Sequence, residues 1–157
     1  MRLELLENAL LDSSKVVVAQ MAPAVRVSLG ELFGHPAGEP MTKKVVGALK
    51  KLGFKYVFDA SFGADVAVVE ESLEMKERFK AGRLLPMINS CCPGAIFFLE
   101  HAYPDLIPHL GTAKSPMEVV GVLIKTYFAE KRNIKPENIV SVAVMPCMVK
   151  KAEALRP

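Results

Sequence analysis

Two short segments hold the three cysteines of the chain. Cys91 and Cys92 lie in Asn-Ser-Cys-Cys-Pro-Gly (residues 89–94), and Cys147 lies in Met-Pro-Cys-Met-Val-Lys-Lys (145–151). Each segment follows an apolar run that predicts a buried strand, and ligands of α/β folds gather beyond the carboxyl ends of strands. Cys92 precedes Pro93, which suits a helix start, where backbone N–H groups favour the thiolate that binds iron or zinc. Three cysteines are one fewer than the four that usually hold an iron–sulfur cluster.

A structural role is the alternative for these cysteines, because free cysteine is among the most buried residue types. A disulfide between the adjacent Cys91 and Cys92 would need a strained ring that few backbones accept. Lys150 follows Cys147 by three residues, so it can reach the same site and donate to an anionic ligand. Lys150 and Lys151 can equally form solvated surface, and the residues alone leave both interpretations open.

Three glutamates, Glu70, Glu71 and Glu74, lie on the helix predicted after the second strand. Glu71 and Glu74 share a helix face at a spacing of three residues. Paired carboxylates can relay protons, whereas a solvated helix face is the commoner role of such residues. The three histidines, at 35, 101 and 109, have no second ligand at metal-binding spacing.

Strand and helix patterns alternate four times along the chain. Apolar, often β-branched runs predict strands at residues 15–20, 56–58, 84–88 and 139–144. Helical spacing and end signals predict helices at 3–11, 23–33, 42–52, about 61–80, 93–100 and from 115 onward. This order predicts the α/β class, with a mainly parallel four-stranded sheet and helices on both of its faces.

Composition limits the classes of partner. The chain has 157 residues, 51% of them apolar, which is enough for one domain with its own core. Lysine and arginine (20) exceed aspartate and glutamate (17) too little to predict nucleic-acid binding. No signal peptide pattern is visible, and no apolar run is long enough to span a membrane. These features predict a cytoplasmic, reducing environment, where cysteine motifs are more often metal-binding or catalytic than disulfide-bonded.

Five motifs, in this order and spacing, resemble the catalytic domain of iron-only ([FeFe]) hydrogenases from about Val16 to Pro157. They lie at residues 20–26 (QMAPAVR), 58–65 (FDASFGAD) with 70–71 (EE), 90–94 (SCCPG), 113–116 (AKSP), and 145–147 (MPC) with 150–153 (KKAE).

The resemblance implies an activity and a cofactor. In that family four cysteines hold a [4Fe–4S] cubane, and one of them bridges to a diiron centre with carbonyl and cyanide ligands; together these form the H-cluster. The reaction is the reversible reduction of protons to hydrogen, with electrons from ferredoxin or another iron–sulfur module. By resemblance, residues 1–157 form part of this domain and carry its first two cysteine loops.

The resemblance also implies roles for individual residues. Cys92 and Cys147 would be metal ligands of the cubane, and Cys91 would donate protons beside the diiron centre. Glu71 and Glu74 would continue the proton path to solvent. Lys150 would bond one iron cyanide, whereas the backbone of Ala22, Pro23 and Ala24 would cradle the other. Met145 would pack beside the diiron centre.

The sequence departs from the family pattern at several positions. The third cysteine motif, which supplies the other two cluster ligands, is absent, and we expect no complete cluster in this chain alone. Asn89 replaces a threonine, Ala95 a tryptophan and Met117 a glutamine, and Gly111 stands where the proton path has a hydroxyl residue. No ferredoxin-like cysteines precede the domain, so electrons would come from a partner.

Two other functions stay open. A hydrogenase-like iron–sulfur protein that senses hydrogen or assists cluster assembly would tolerate the departures at Ala95, Gly111 and Met117, although it would not need Cys91 as a proton donor. A remnant domain that binds nothing is the third hypothesis. We expect the chain to be the first part of something longer, with a second polypeptide carrying the missing motif or a homodimer as further possibilities.

Overall fold

A three-stranded parallel sheet forms the centre of the first of two compact units. The computed structural model describes residues 3–156 of the chain. The first unit runs up to Ser61 and from Val120 to Cys147, and the second comprises the described residues from Phe62 to Val119 and from Met148 onward. The strands are β1 (Val16–Met21), β2 (Tyr56–Asp59) and β3 (Ile139–Val144), in the order β2-β1-β3.

Helices and short turns connect these strands. The α-helices are α1 (Leu3–Leu11), α2 (Pro23–Ser28), α3 (Thr42–Lys51), α4 (Ala60–Ala81), α5 (Pro93–Ala102), α6 (Pro116–Leu123), α7 (Ala129–Lys131) and α8 (Lys150–Glu153). Turns of 3-10 helix lie at Leu29–Phe33, Pro104–His109 and Pro136–Asn138, and a π-helical segment, Ile124–Phe128, joins α6 to α7. No helix among the described residues is both long enough and apolar enough to cross a membrane.

The central strand β1 is covered on both faces, which explains its run of three valines. Val17, Ala19 and Met21 pack on one side with Val45 and Leu49 of α3. Val18 packs on the other side with Val120, Ile124 and Ile139. Strands of parallel sheets are typically apolar on both faces for this reason. The predicted α/β class and parallel sheet are therefore confirmed.

The third of the four predicted strands, at residues 84–88, is wrong. This segment belongs to the second unit, where Ile88 makes a single parallel bridge with Leu110 and no strand is formed. Leu84 adopts a φ of 56°, a left-handed conformation that a strand does not accommodate. Pro86 lacks the N–H group that a sheet ladder requires. Apolar composition alone therefore misled the assignment, and the sheet has three strands instead of four.

We predict that the sheet face formed by Val18 and Ile139 depends on Ile124, which is 2% exposed. Ile124→Ala should lower the free energy of unfolding by about 2–5 kcal/mol, because it leaves a cavity in this cluster. Urea denaturation followed by circular dichroism measures the loss.

Val122→Ala is the matched control, since Val122 lies two residues earlier and is 57% exposed. It should change the unfolding free energy by no more than about 0.5 kcal/mol. Equal losses in the two variants would contradict the assigned core.

Candidate functional site

Several predicted cofactor-binding residues lie at the carboxyl edge of the sheet in the first unit. The N–H group of Ala22 donates to the carbonyl of Val144 over 3.0 Å, which extends the pairing of β1 and β3 past their last residues. Ala22 is buried, Pro23 opens α2, and Met145 follows Val144 directly. The structure therefore brings residues 22–24 beside the start of the loop at 145–147, where α/β folds place their ligands.

An ion pair also stabilises the carboxyl edge of the sheet. Arg26 of α2 is paired with Asp59, the last residue of β2, and a second guanidinium nitrogen of Arg26 lies 3.4 Å from the Ser61 hydroxyl. The carbonyl of Arg26 also accepts a hydrogen bond from the N–H group of Met41 at 2.7 Å. Sequence reasoning assigned no role to this pair. The one available signal was that Arg26 ends the motif at 20–26 and Asp59 directly follows the strand predicted at 56–58.

Cys92 lies where the sequence predicted, immediately before α5 in the second unit. Its backbone is extended, Pro93 occupies the first turn of the helix, and the Cys92 carbonyl accepts a hydrogen bond from the N–H group of Ile96. Cys92 is exposed and Cys91 is half-buried. The Ser90 hydroxyl, which donates to the Ala113 carbonyl over 2.8 Å, fixes the loop before them.

All three cysteines are free thiols, and Cys147, in the first unit, is exposed like Cys92. The exposure of Cys92 and Cys147 contradicts a buried core role for these two cysteines, whereas Cys91 is half-buried. Sulfur donors of this kind fit an iron–sulfur cluster, which needs four such ligands. Among residues 3–156, however, no group of three or more His, Cys, Asp or Glu side chains is gathered for a metal ion. The chain therefore offers thiols of the right chemistry but fewer than a complete ligand set.

Lys150 is not a solvated surface residue, since its side chain is only 17% exposed. Its ammonium group donates to the carbonyl of Cys91 at 2.9 Å and to a carboxylate oxygen of Glu153 at 2.6 Å. Lys150 thus connects α8 to the loop that carries the cysteine pair. Burial and the nearby Glu153 charge raise the pKa of Glu118, and Lys114 and Lys150 partly oppose this shift.

The three glutamates of α4 have different surroundings. Glu70 is exposed, whereas Glu71 and Glu74 are half-buried. Glu71 accepts a hydrogen bond from the side-chain amide of Asn89 over 3.2 Å. Glu74 accepts from Thr112 with one carboxylate oxygen and from Arg78 with the other. The pair predicted from spacing is therefore held by directed donors and is not a solvated helix face.

Arg78 is a buried cation that sequence reasoning missed. Arg78 is 8% exposed. Its guanidinium donates to the carbonyls of Leu84, His109 and Leu110 and to the carboxylate of Glu74. The one available signal was its position four residues after Glu74, a spacing that suits helical ion pairs. Arg78 joins α4 to the two loop segments that precede the cysteine pair and the AKSP motif.

Burial alone would raise the pKa of Glu74, but hydrogen bonds from the Thr112 N–H group, Arg78 and the Thr112 hydroxyl outweigh it. The net effect holds the pKa of Glu74 below its ordinary value of 4.5. A carboxylate with a lowered pKa stabilises the fold above its ordinary pKa, and this stabilisation is lost as the pH falls through the lower, folded value. Ionised Glu74 is therefore part of what holds the second unit together in neutral solution.

We expect Glu74→Gln to lower the free energy of unfolding in neutral solution by about 1–3 kcal/mol, because Arg78 then stays buried without its anionic partner. Stability should also fall less steeply on acidification in this variant than in the wild type. Urea unfolding at a series of pH values between about 7 and 3 measures both effects.

Glu77→Gln removes a charge from an exposed position of the same helix and serves as the control. It should change the unfolding free energy by no more than about 0.5 kcal/mol. A wild-type acid dependence that survives in Glu74→Gln would argue against this role of Glu74.

Known proteins are similar to this sequence along nearly the whole chain. The family model "Iron only hydrogenase large subunit, C-terminal domain" matches residues 15–157. The periplasmic [Fe] hydrogenase large subunit of Nitratidesulfovibrio vulgaris is 45% identical over 153 residues, which cover 96% of this chain and 36% of that relative. The cytosolic Fe-S cluster assembly factor narfl of Danio rerio is 38% identical over 148 residues, or 91% of this chain and 36% of the relative.

Solved structures agree with these sequence matches. The structure of an [FeFe]-hydrogenase from Chlamydomonas reinhardtii superposes with a TM-score of 0.91 at 40% identity, covering 98% of this chain and 40% of that one. The chain thus spans well under half the length of the relatives it matches. With a family match over almost every residue, the chain belongs to the iron-only hydrogenase large-subunit family.

Proposed function

We propose that residues 1–157 form part of an iron-only hydrogenase catalytic domain that reversibly reduces protons to hydrogen. The observation that carries this proposal is the pair of carboxylates Glu71 and Glu74, each held by hydrogen-bond donors in the unit that also contains Cys91. A thiol and two fixed carboxylates within one unit are groups of the types that transfer protons. Hydrogen turnover needs such transfer, whereas a cluster scaffold does not.

Cys92 and Cys147 are the proposed ligands of the [4Fe–4S] cluster. Both thiols are exposed and free of disulfides, as cluster ligands must be before loading. When bound, the cluster and its diiron partner supply the electron-transfer and hydrogen chemistry. Two further cysteines, from residues beyond this segment or from another polypeptide, complete the ligand set.

Cys91, which is half-buried, is the proposed proton donor and acceptor at the inner end of the path. Its carbonyl accepts a hydrogen bond from Lys150, which fixes the backbone that carries its thiol. An ammonium group has three N–H donors, and Cys91 and Glu153 engage two of those of Lys150. The proposed role of the third is to hold an anionic ligand such as an iron cyanide.

The sheet edge of the first unit is the proposed second holding surface for the diiron group. The backbone at Ala22, Pro23 and Ala24 would cradle a second cyanide, and Met145 would pack beside the metal centre. The Ala22 to Val144 hydrogen bond supports this role, because it fixes the segment relative to the loop that carries Cys147.

A non-turnover iron–sulfur protein is the second candidate. One relative at 38% identity is a cytosolic Fe-S cluster assembly factor, and Gly111 lacks the hydroxyl of the proton path. Hydrogen–deuterium exchange by the complete protein distinguishes the two functions, because only the hydrogenase exchanges the isotopes.

A ferredoxin-type iron–sulfur protein is the proposed electron partner.

Helix α4 leaves several large apolar side chains exposed, and these support a contact with another polypeptide or with a second copy of the chain. They are Val68, Val69, Leu73 and Phe79. The cytoplasmic location remains a prediction, because one of the relatives is named as periplasmic and another as cytosolic.

We predict that the two adjacent cysteines fail in different ways when substituted. In the complete hydrogenase polypeptide, Cys92→Ser should reduce bound iron and acid-labile sulfide, because it removes a thiolate ligand. Cys91→Ser should leave both contents near the wild-type level and lower hydrogen evolution by about 100-fold or more, since it removes the proton-transfer group.

Anaerobic reconstitution followed by iron and sulfide analysis, and hydrogen evolution with a reduced dye, provides the readouts. Loss of iron in Cys91→Ser, or full activity in that variant, would contradict the assignment. A wild-type protein that holds its cluster but never exchanges hydrogen isotopes would favour the second candidate.

A further inference from the structure

The proton path of this chain has a gap at Gly111, where the family pattern has a hydroxyl residue. Gly111 is buried, and its N–H group donates to the Ile88 carbonyl over 2.8 Å. A Cβ atom added at Gly111 would lie 3.8 Å from Oε2 of Glu74, so a side chain there would approach that oxygen. The missing hydroxyl is therefore one that would have contacted Glu74 Oε2.

The same oxygen already has a hydroxyl partner. Oε2 of Glu74 accepts hydrogen bonds from the Thr112 hydroxyl at 3.0 Å and from the Thr112 N–H group at 2.8 Å. The N–H group holds the carboxylate in place, and the hydroxyl lies against it with its own oxygen free to accept a further proton. Thr112 is exposed, so water reaches this hydroxyl.

The other donor to Glu74 is unsuited to proton relay. Arg78 contacts Oε1 through a guanidinium, which keeps its protons at any physiological pH and has no acceptor. A threonine hydroxyl both donates and accepts. Among the donors to Glu74 in residues 3–156, Thr112 therefore supplies the group that can pass a proton on.

We propose that the Thr112 hydroxyl passes protons to Glu74 Oε2, in place of the hydroxyl residue that the family pattern has at position 111. The proposal rests on the hydrogenase function proposed above. In the inward step, a hydronium ion gives a proton to the Thr112 oxygen while the Thr112 hydroxyl proton passes to Oε2 of Glu74. A water molecule remains, the carboxylate becomes a carboxylic acid, and Thr112 regains its hydroxyl.

Substitution of Thr112 in the complete, cluster-loaded hydrogenase tests the proposal. Thr112→Val keeps the size of the side chain and the backbone N–H bond to Glu74 but removes the hydroxyl. It should lower hydrogen evolution by about 100-fold and raise the solvent deuterium isotope effect, because proton transfer becomes rate-limiting. Thr112→Ser should retain most of the activity, since it keeps the hydroxyl.

A second-site variant separates the hydroxyl from the residue that carries it. Gly111→Ser added to Thr112→Val should recover at least about tenfold of the lost rate, because it restores a hydroxyl within reach of Glu74 Oε2. Thr126→Val is the matched control, since it removes an exposed hydroxyl in the other unit that donates to the Val122 carbonyl. Its rate and isotope effect should match those of the wild type.

A readout without turnover keeps the proposal separate from the hydrogenase assignment. Carbon-13 NMR titration of the Glu74 carboxyl in this chain should show a higher pKa in Thr112→Val than in the wild type or Thr112→Ser. An unchanged rate in Thr112→Val, or no recovery by Gly111→Ser, overturns the relay. Absence of turnover in the wild type overturns the proposed function and with it the relay, whereas the titration still decides whether the Thr112 hydroxyl acts on Glu74.

Discussion

The parallel register of β1 between β2 and β3 is the constraint on which the first unit depends. Met21 lies opposite both Asp59 and Val144, so the three strands end at one level. Because parallel strands run in the same direction, the segments that leave them emerge together at the carboxyl edge. The Arg26–Asp59 ion pair and the Ala22–Val144 hydrogen bond then hold two of these exits in place. Backbone pairing thus positions Ala22 and Met145 before any side chain contributes.

The second unit holds its loops in place without a sheet. Its loops before the cysteine pair and before the AKSP motif lack a strand ladder, and the buried guanidinium of Arg78 satisfies their carbonyl groups instead. Burying a cation is costly unless it is paired and fully hydrogen-bonded, and Glu74 provides the charge that permits it. The carboxylate assigned to proton transfer is therefore also structural, which ties the chemistry of Glu74 to the stability of the loops around it.

The elements that the sequence predicts correctly are those that depend on neighbouring residues alone. The valine-rich run of β1 and the span of β3 follow from β-branched residues buried on both faces, and the glutamate pair follows from helical spacing. Residues 84–88 were assigned wrongly because apolarity does not reveal whether a ladder partner exists or whether Leu84 adopts a positive φ. Arg78 was missed because the carbonyls that bury it come from positions 84, 109 and 110, and no local pattern connects them.

Both the hydrogenase and the cluster-assembly hypotheses call for thiolate ligands of an iron–sulfur cluster, so the cysteines alone do not separate them. The two hypotheses differ in whether the protein must transfer protons. The residues that bear on this difference are the hydrogen-bond partners of Glu71 and Glu74. Asn89 and Thr112, which bind these carboxylates, stand at or beside positions where the chain departs from the family pattern. Either hypothesis accounts for the donors on Glu74, because this carboxylate also pairs with the buried Arg78 that holds the loops of the second unit. Measured proton transfer, and not the presence of these donors, therefore separates turnover from cluster assembly.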